Sequence, residues 1–276
     1  TKVYGATNWI SIAGIGFQPS ELAKIIFVFF VAAMLYKNTS LKQIMLTSAL
    51  AGVHVLMLVV EKDLGAAVIF FVTYIVMLYV ATRRAMWPLM GLAAGAGASV
   101  VAYHLFDHVK RRVVAWKDPW GNYNDAGYQI AQSLFAIGTG GWFGMGLYRG
   151  MPEKIPVVDK DFVFAAISEE MGALYALCVL FLCLGCYMQF MLIAMKMQAM
   201  FYKLIAFGLG SVYITQVFLT IGGVTKFIPS TGVTLPLVSY GGSSIVSTFI
   251  IFQVIQGLYV LKRGEEEEEE NSSEEE

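Results

Sequence analysis

Charged side chains make up only 14% of this 276-residue chain, against roughly a quarter in a soluble domain. That shortage excludes an ordinary water-soluble fold. Cysteine is nearly absent too: Cys178, Cys183 and Cys186 fall in one apolar run with no histidine nearby in sequence. They argue against a disulfide framework or a thiolate metal centre and read as packing residues. A secretory signal pattern is missing, and the chain opens on Thr1 and a polar, glycine-containing segment, so it is expected to be part of a longer protein.

What the chain has in excess is apolar length. Hydrophobic residues make up 57% and the mean hydropathy is +0.65. Runs able to span a bilayer, which takes about 20 residues, lie near 21–36, 44–60, 64–82, 87–106, 165–195, 203–221 and 245–261. The expected fold class is all-α, a polytopic membrane helix bundle with about seven transmembrane helices.

The net charge of −1 hides an asymmetry, because Glu265 to Glu270 and Glu274 to Glu276 supply nine of the 20 acidic residues. The remainder carries 19 basic against 11 acidic residues, a net of +8. With nothing apolar to bury, residues 264–276 are expected to form a disordered, solvated cytoplasmic tail behind a membrane domain spanning 1–263.

Loop charge orients the spans. One set of short loops holds Lys37, Lys42, Arg83, Arg84, Lys196, Lys203, Lys262 and Arg263, and the positive-inside rule makes it cytoplasmic. The other face then carries residues 1–19, the turn at Glu61 to Asp63, the long segment from Asp107 to Lys160, and Gly222 to Ser244. That long segment nevertheless contains Lys110, Arg111, Arg112, Lys117, Arg149, Lys154 and Lys160. Cations there suit an anionic ligand such as pyrophosphate or anionic lipid headgroups.

Within it, YQIAQSLFAIGTGGWFG (Tyr128 to Gly144) places Ile130, Leu134 and Ile137 at helical spacing. It is expected to lie on the membrane surface. Its glycines follow no strand and precede no GK[ST], so they read as a tight turn and not a nucleotide loop.

Asp161 stands out chemically, at the mouth of a long apolar run in PVVDKDFVFAAISEEMG. A carboxylate there is costly to desolvate and by default functional, with Lys160 beside it able to hold it ionised. Helix capping is the competing reading. Glu61, Lys62 and Asp63 are expected to be neutralised by one another or by partners at the outer end of a cavity. Gln18, Pro19, Ser20 and Glu21 form a helix start, with Lys24 one turn on facing a polar groove or snorkelling to the interface. FIPSTGVTLPLVSYGGSS carries Pro229, Pro236 and three glycines in otherwise apolar sequence, a broken backbone tolerated only in protein or along a cavity. Ser239, Tyr240, Ser243 and Ser244 offer hydroxyls there, or cap and satisfy backbone.

Motif by motif and in order, the chain resembles the SEDS family of bacterial cell-wall proteins (FtsW, RodA, SpoVE). GATNWI, which contains Trp9, with FQPSELAK resembles GAxRWI and QPSExxK. EKDLG resembles xxDLG, and RRVVAWKDPW with the segment holding Gln129, Gln132 and Ser133 resembles RV…DP and YQxxQSxxAIGSGG. PVVDKDFVFAAISEEMG, with Glu169 and Glu170, resembles PxxxTDFIFAxxxEExG, and IPSTGVTLPLVSYGGSS resembles LPxTGVxLPLxSYGGSS in a form leaning toward FtsW. Departures include Asn8 for Arg, Lys160 for Thr and Thr220 for Asn.

The resemblance implies a ten-helix fold of which three N-terminal helices are absent here. It also implies a bacterial inner-membrane glycosyltransferase that polymerises lipid II on its extracytoplasmic face, with undecaprenyl pyrophosphate leaving and the anomeric centre inverted. Asp161 aligns with the carboxylate the family requires. Lys24, Arg112, Lys117, Arg149, Lys154 and Lys160 are the pool for pyrophosphate contacts. Trp9, Gln18, Glu21, Asp63, Gln129, Gln132, Ser133, Glu169, Glu170, Ser239, Tyr240 and Ser243 are motif or cavity residues. A divalent cation, magnesium foremost, is able to share the anion; no organic cofactor and no nucleic acid is expected. The implied partner is a class B penicillin-binding protein. A lipid II flippase and a non-catalytic scaffold for the transpeptidase are the alternatives.

Overall fold

Helices that must satisfy every backbone group in a bilayer account for nearly all of the computed structural model, which describes residues 10–12 and 15–274. The apolar runs become α1 (Pro19–Leu35), α2 (Leu41–Val60), α3 (Leu64–Thr82), α4 (Met86–Leu105), α7 (Val163–Lys196), α8 (Met200–Val224) and α9 (Gly242–Glu274). Between α4 and α7 lie α5 (Asp107–Lys117), α6 (Tyr128–Gly140) and a 3-10 turn, η1 (Pro152–Lys154). Six of the described helices are long and apolar enough to cross a membrane. The seventh apolar run, α1, has 17 residues, about 26 Å at 1.5 Å per residue, slightly less than the hydrocarbon core. An antiparallel pair, β1 (Ile10–Ile12) with β2 (Ile15–Phe17), is the one departure from all-α among the described residues.

Local chemistry sets the helix starts. Pro19 opens α1 with Glu21 in its first turn, and the Ser40 and Asp63 side chains accept from Gln43 N (3.4 Å) and Ala66 N (3.0 Å) to cap α2 and α3. The backbone of α9 continues helical to Glu274 where the composition suggested disorder. Glu is a good helix former, and extending an existing helix avoids the nucleation cost.

The post of the bundle is α8, flanked by α1, α3, α7 and α9. Glycines let its neighbours close in: a Cβ on Gly208 would come within 2.6 Å of Val28 and 2.8 Å of Met77. In contrast, α4 buries no residue and leans mainly on α3, with Gly91 against Ile75 and Gly95 against Phe71.

One joint shapes the end of the bundle that carries the motif-bearing loops. In α7 the helix breaks at Gly172 (φ 84°, ψ 169°), and the strand-like run 141–146 fills the gap. Ala173 N donates to Gly141 O (2.9 Å) and Leu174 N to Trp142 O (3.2 Å), while Met145 N and Gly146 N donate to Glu169 O and Glu170 O (2.9 Å each). The glycines of this run are therefore more than a turn: they let one backbone lie directly on another. The same joint gives the apolar face of α6 a partner within the protein. Its buried stripe of Ile130, Ala131, Ser133, Ala136 and Gly140 packs against α7 and α8, and Ser133 Oγ donates to Val224 O at 3.0 Å.

Candidate functional site

Asp161 lies in a run of turns pinned at both ends by Ile155 and Phe162, which are 2% and 1% exposed. Gln129 Nε2 holds the start through Pro156 O at 3.0 Å. Val157 takes φ +56°, a strained choice for a β-branched residue, and its carbonyl accepts from Lys160 N at 3.0 Å. Tyr240 N donates to Asp159 O at 2.8 Å, joining this run to the loop between α8 and α9.

That second loop is held from three sides. From α8, Thr220 Oγ1 donates to Val233 O (2.9 Å) and Gln216 Nε2 to Thr234 O (3.0 Å). From α5, Arg112 Nη1 donates to Ser230 O (2.8 Å) and Trp116 Nε1 to Lys226 O (3.0 Å). From α3, Gly65 packs against Val233 and Thr231.

Gly232 (φ +75°) occupies the meeting point. A Cβ built there would sit 3.9 Å from Asp161 Oδ2 and 4.0 Å from Arg112 Nη2. The carboxylate and the guanidinium thus face one small opening. Burial pushes the Asp161 carboxyl up to about 6; its own backbone hydrogen bond, Arg112 and Lys160 oppose this, and Asp159 adds to it. Burial pulls the Arg112 guanidinium down while Asp161 and Asp63 pull it back up. The half-buried carboxylate is therefore a base matched to near-neutral pH beside a cation suited to an anion.

His108, one turn before Arg112 on α5, was not singled out from the sequence. Its Nε2 is buried without a hydrogen-bond partner, and burial, Lys62 and Arg112 push its pKa down against the opposing Asp107. The i, i+4 spacing to Arg112 is the sequence signal by which it could have been found.

The remaining candidates divide by place. Asp63 joins the site's floor, capping α3 through Ala66 N and accepting from Gln18 Nε2 (3.0 Å) and Ser20 Oγ (3.1 Å), the partners outside the triplet that the sequence allowed for. Lys24 is 3% exposed and lies inside the bundle, donating to Glu21 Oε2 and Gln216 Oε1 at 2.7 Å each. It neither snorkels nor reaches solvent. Glu21 also accepts from Ser247 Oγ at 2.7 Å. Lys117 is exposed at the last turn of α5. Arg149 and Lys154 line a different groove together with Gln132 and Glu169. Gln132 Nε2 also donates to Tyr123 Oη at 2.7 Å.

Several motif residues hold backbone. Glu170 accepts from Tyr148 N (3.1 Å), Ser239 Oγ from Leu235 N (2.8 Å) and Ser243 Oγ from Gln18 N (3.1 Å). The Tyr240 side chain is exposed. Trp9 and Asn8 lie outside the described residues. No group of three or more metal-ligating side chains occurs among the described residues; a magnesium ion here would have to draw most ligands from water and a diphosphate.

Comparison with known proteins shows the family. Peptidoglycan glycosyltransferase RodA of Mycobacterium tuberculosis (strain ATCC 25618 / H37Rv) is 38% identical over 273 residues, covering 91% of this chain and 57% of that protein. A probable peptidoglycan glycosyltransferase FtsW of Geobacter sp. (strain M18) is 34% identical over 270 residues, covering 94% and 73%. The one motif that leans toward FtsW thus sits in a chain with higher overall identity to this RodA. The chain spans little more than half the length of the mycobacterial relatives.

Among solved structures, one from a study of polymerization and crosslinking by a peptidoglycan synthase complex superposes with a TM-score of 0.77 at 25% identity, covering 94% of this chain and 76% of that one. Thermus thermophilus rod shape determining protein RodA shares the fold with a TM-score of 0.65 at 24% identity, covering 92% and 69%. With a family profile described as cell cycle protein, FtsW/RodA/SpoVE, matching residues 1–263, the chain belongs to that family.

Proposed function

We propose that this chain is the catalytic membrane core of a peptidoglycan glycosyltransferase that extends glycan strands from lipid II. The observation that carries the reading is the carboxylate of Asp161 facing the Arg112 guanidinium across Gly232, both bordering one opening. The acceptor's 4-hydroxyl oxygen attacks the donor's anomeric carbon, Asp161 takes the hydroxyl proton, and the bond to the pyrophosphate oxygen breaks with its electron pair leaving on undecaprenyl pyrophosphate. Arg112 is placed to offset the charge that develops there, with Lys160 adjacent in sequence to the base. Attack opposite the leaving group inverts the anomeric centre.

Relatives named as peptidoglycan glycosyltransferases support the substrate class. The reading places the protein in the bacterial inner membrane with Asp161 outside and α9 ending in the cytoplasm. The synthase-complex neighbour supports a class B penicillin-binding protein as partner. A flippase needs a polar path through the bundle, but below Lys24 the interior is packed with Val28, Val31, Met77, Leu204 and Leu209, none more than 1% exposed.

Lipid II polymerisation by the full-length protein with its partner, wild type against Asp161→Asn, tests the proposal. A general base contributes roughly 10²–10⁴-fold, so the variant is expected to lose at least about a hundredfold in rate while still binding the partner. Undiminished polymerisation would sink the assignment.

A further inference from the structure

A groove of about 360 Å³ lies where α6, η1 and the first turns of α7 meet, and it shares no side chain with the Asp161 and Arg112 cluster. Its polar lining comes from Gln132, Thr139, Arg149, Lys154 and Glu169, with Phe135 on the apolar side. Ile155, which anchors the run leading to Asp161, also lines it.

Glu169 is the feature that demands a ligand. Its side chain is 7% exposed, Oε1 accepts from Met151 N at 3.2 Å, and Oε2 is buried with no partner. An acceptor left so is costly unless something donates to it. The approach from the groove is kept open by Gly150, where a Cβ would stand 3.2 Å from Oε2.

Two exposed cations, Arg149 and Lys154, share the groove with this carboxylate. A bare anion would meet Arg149 and Lys154 but leave Glu169 unsatisfied and repelling, whereas a bare cation would leave the two basic residues idle. The ligand class that uses all of them presents hydroxyl or amide donors close to an acidic group, on a ring whose face can lie against half-exposed Phe135.

We propose that this groove binds an acidic glycopeptide: the sugar and acid-bearing peptide of the strand next to the reacting residue. This rests on the polymerase reading above. Sugar or amide N–H and O–H groups donate to Glu169 Oε2, and the peptide carboxylates engage Arg149 and Lys154. Ile155 lines the groove and opens the short run that carries Asp161, so one chain segment joins the two places.

The test uses the full-length protein in nanodiscs and a soluble disaccharide-pentapeptide fragment of peptidoglycan that carries no lipid. Affinity is read by titration, and the place of binding by hydrogen exchange of residues 144–155. The fragment is expected to protect that segment in wild type. Arg149→Glu with Lys154→Glu should weaken binding at least about tenfold, since two charge-assisted contacts are reversed. Glu169→Gln and Gly150→Ala should each weaken it several-fold, and a fragment with amidated carboxyls should bind as poorly as the double variant.

Wild-type affinity in all of these variants, or equal protection of 144–155 by inorganic pyrophosphate alone, would overturn the proposal. Asp161→Asn separates the two readings. If it binds the fragment normally and fails to polymerise, both stand, and if it polymerises normally while the groove variants lose the fragment, only the polymerase base assignment falls.

Discussion

At the scale of single residues, Asp161 sets opposing demands on stability and chemistry. Its carboxyl is raised from 3.8 to about 6, so the ionised form that the proposed base needs is the form the fold disfavours. Between about pH 4 and 6 the unfolded chain has released this proton and the folded one has not. Stability contributed by the group is therefore full at low pH and lost as pH rises through 6. Asp161→Asn should accordingly be more stable than wild type above pH 6, by at most on the order of 2–3 kcal/mol given 1.36 kcal/mol per unit. The gain should shrink to nothing near pH 4, as read by thermal unfolding in detergent across pH. A stability difference that grew on acidification would contradict the assigned direction. Polymerisation should fall about tenfold per unit below pH 6. Lys24 makes a second case. Its side chain and that of Glu21 are 3% and 12% exposed, so Lys24→Met strands a carboxylate and should cost about 3–5 kcal/mol, whereas adding Glu21→Gln should restore most of it. Unchanged stability in the single variant would return Lys24 to the substrate contacts.

Elements show where the sequence could be read and where it could not. All seven apolar runs became helices, with ends within about three residues of those expected except at the end of α9, which runs on to Glu274, because roughly 20 apolar residues in a bilayer have few alternatives. The break in α7 was hidden: SEEMGALYAL reads as continuous helix, and a lone glycine is tolerated in one. Only the meeting with Trp142, Phe143 and Gly144 requires Gly172 to take a conformation that is essentially glycine's alone. Seven cations in the long loop looked equivalent for the same reason. Which of them meets Asp161 depends on the face of α5 that packs on the Ser230 carbonyl, a long-range contact with no local signature. Gly172→Ala would drive a Cβ to 2.5 Å from Trp142 O as well as into a forbidden backbone region, and should cost several kcal/mol. Gly185→Ala, lower in the same helix with nothing within 4 Å of the new methyl, should be neutral or stabilising by up to about 1 kcal/mol. Folded yield and thermal unfolding of the pair check this, and equal behaviour would show that the joint is not strained by a side chain.

For the whole molecule, orientation follows from which end holds the chemistry. One end collects α5, α6, η1 and the Gly232 loop around Asp161. The other brings Tyr36 onto Phe201, ring centroids 5.3 Å apart, and Arg83 and Lys203 into one groove. Both ends are basic, so counting charge alone decides little. The rule weighs short loops beside the spans, and Arg83 and Arg84 sit in such a loop, whereas the cations of 107–160 belong to a long folded segment. On that ground we expect the Arg84 end in the cytoplasm and the Asp161 end outside, as the proposed polymerase requires. With Cys178, Cys183 and Cys186 replaced, a cysteine at exposed Lys117 should react with a membrane-impermeant thiol reagent in intact cells. One at exposed Arg84 should react only after the membrane is opened. The reverse pattern would place Asp161 in the cytoplasm and, since strands are not built there, would end the polymerase reading together with the orientation.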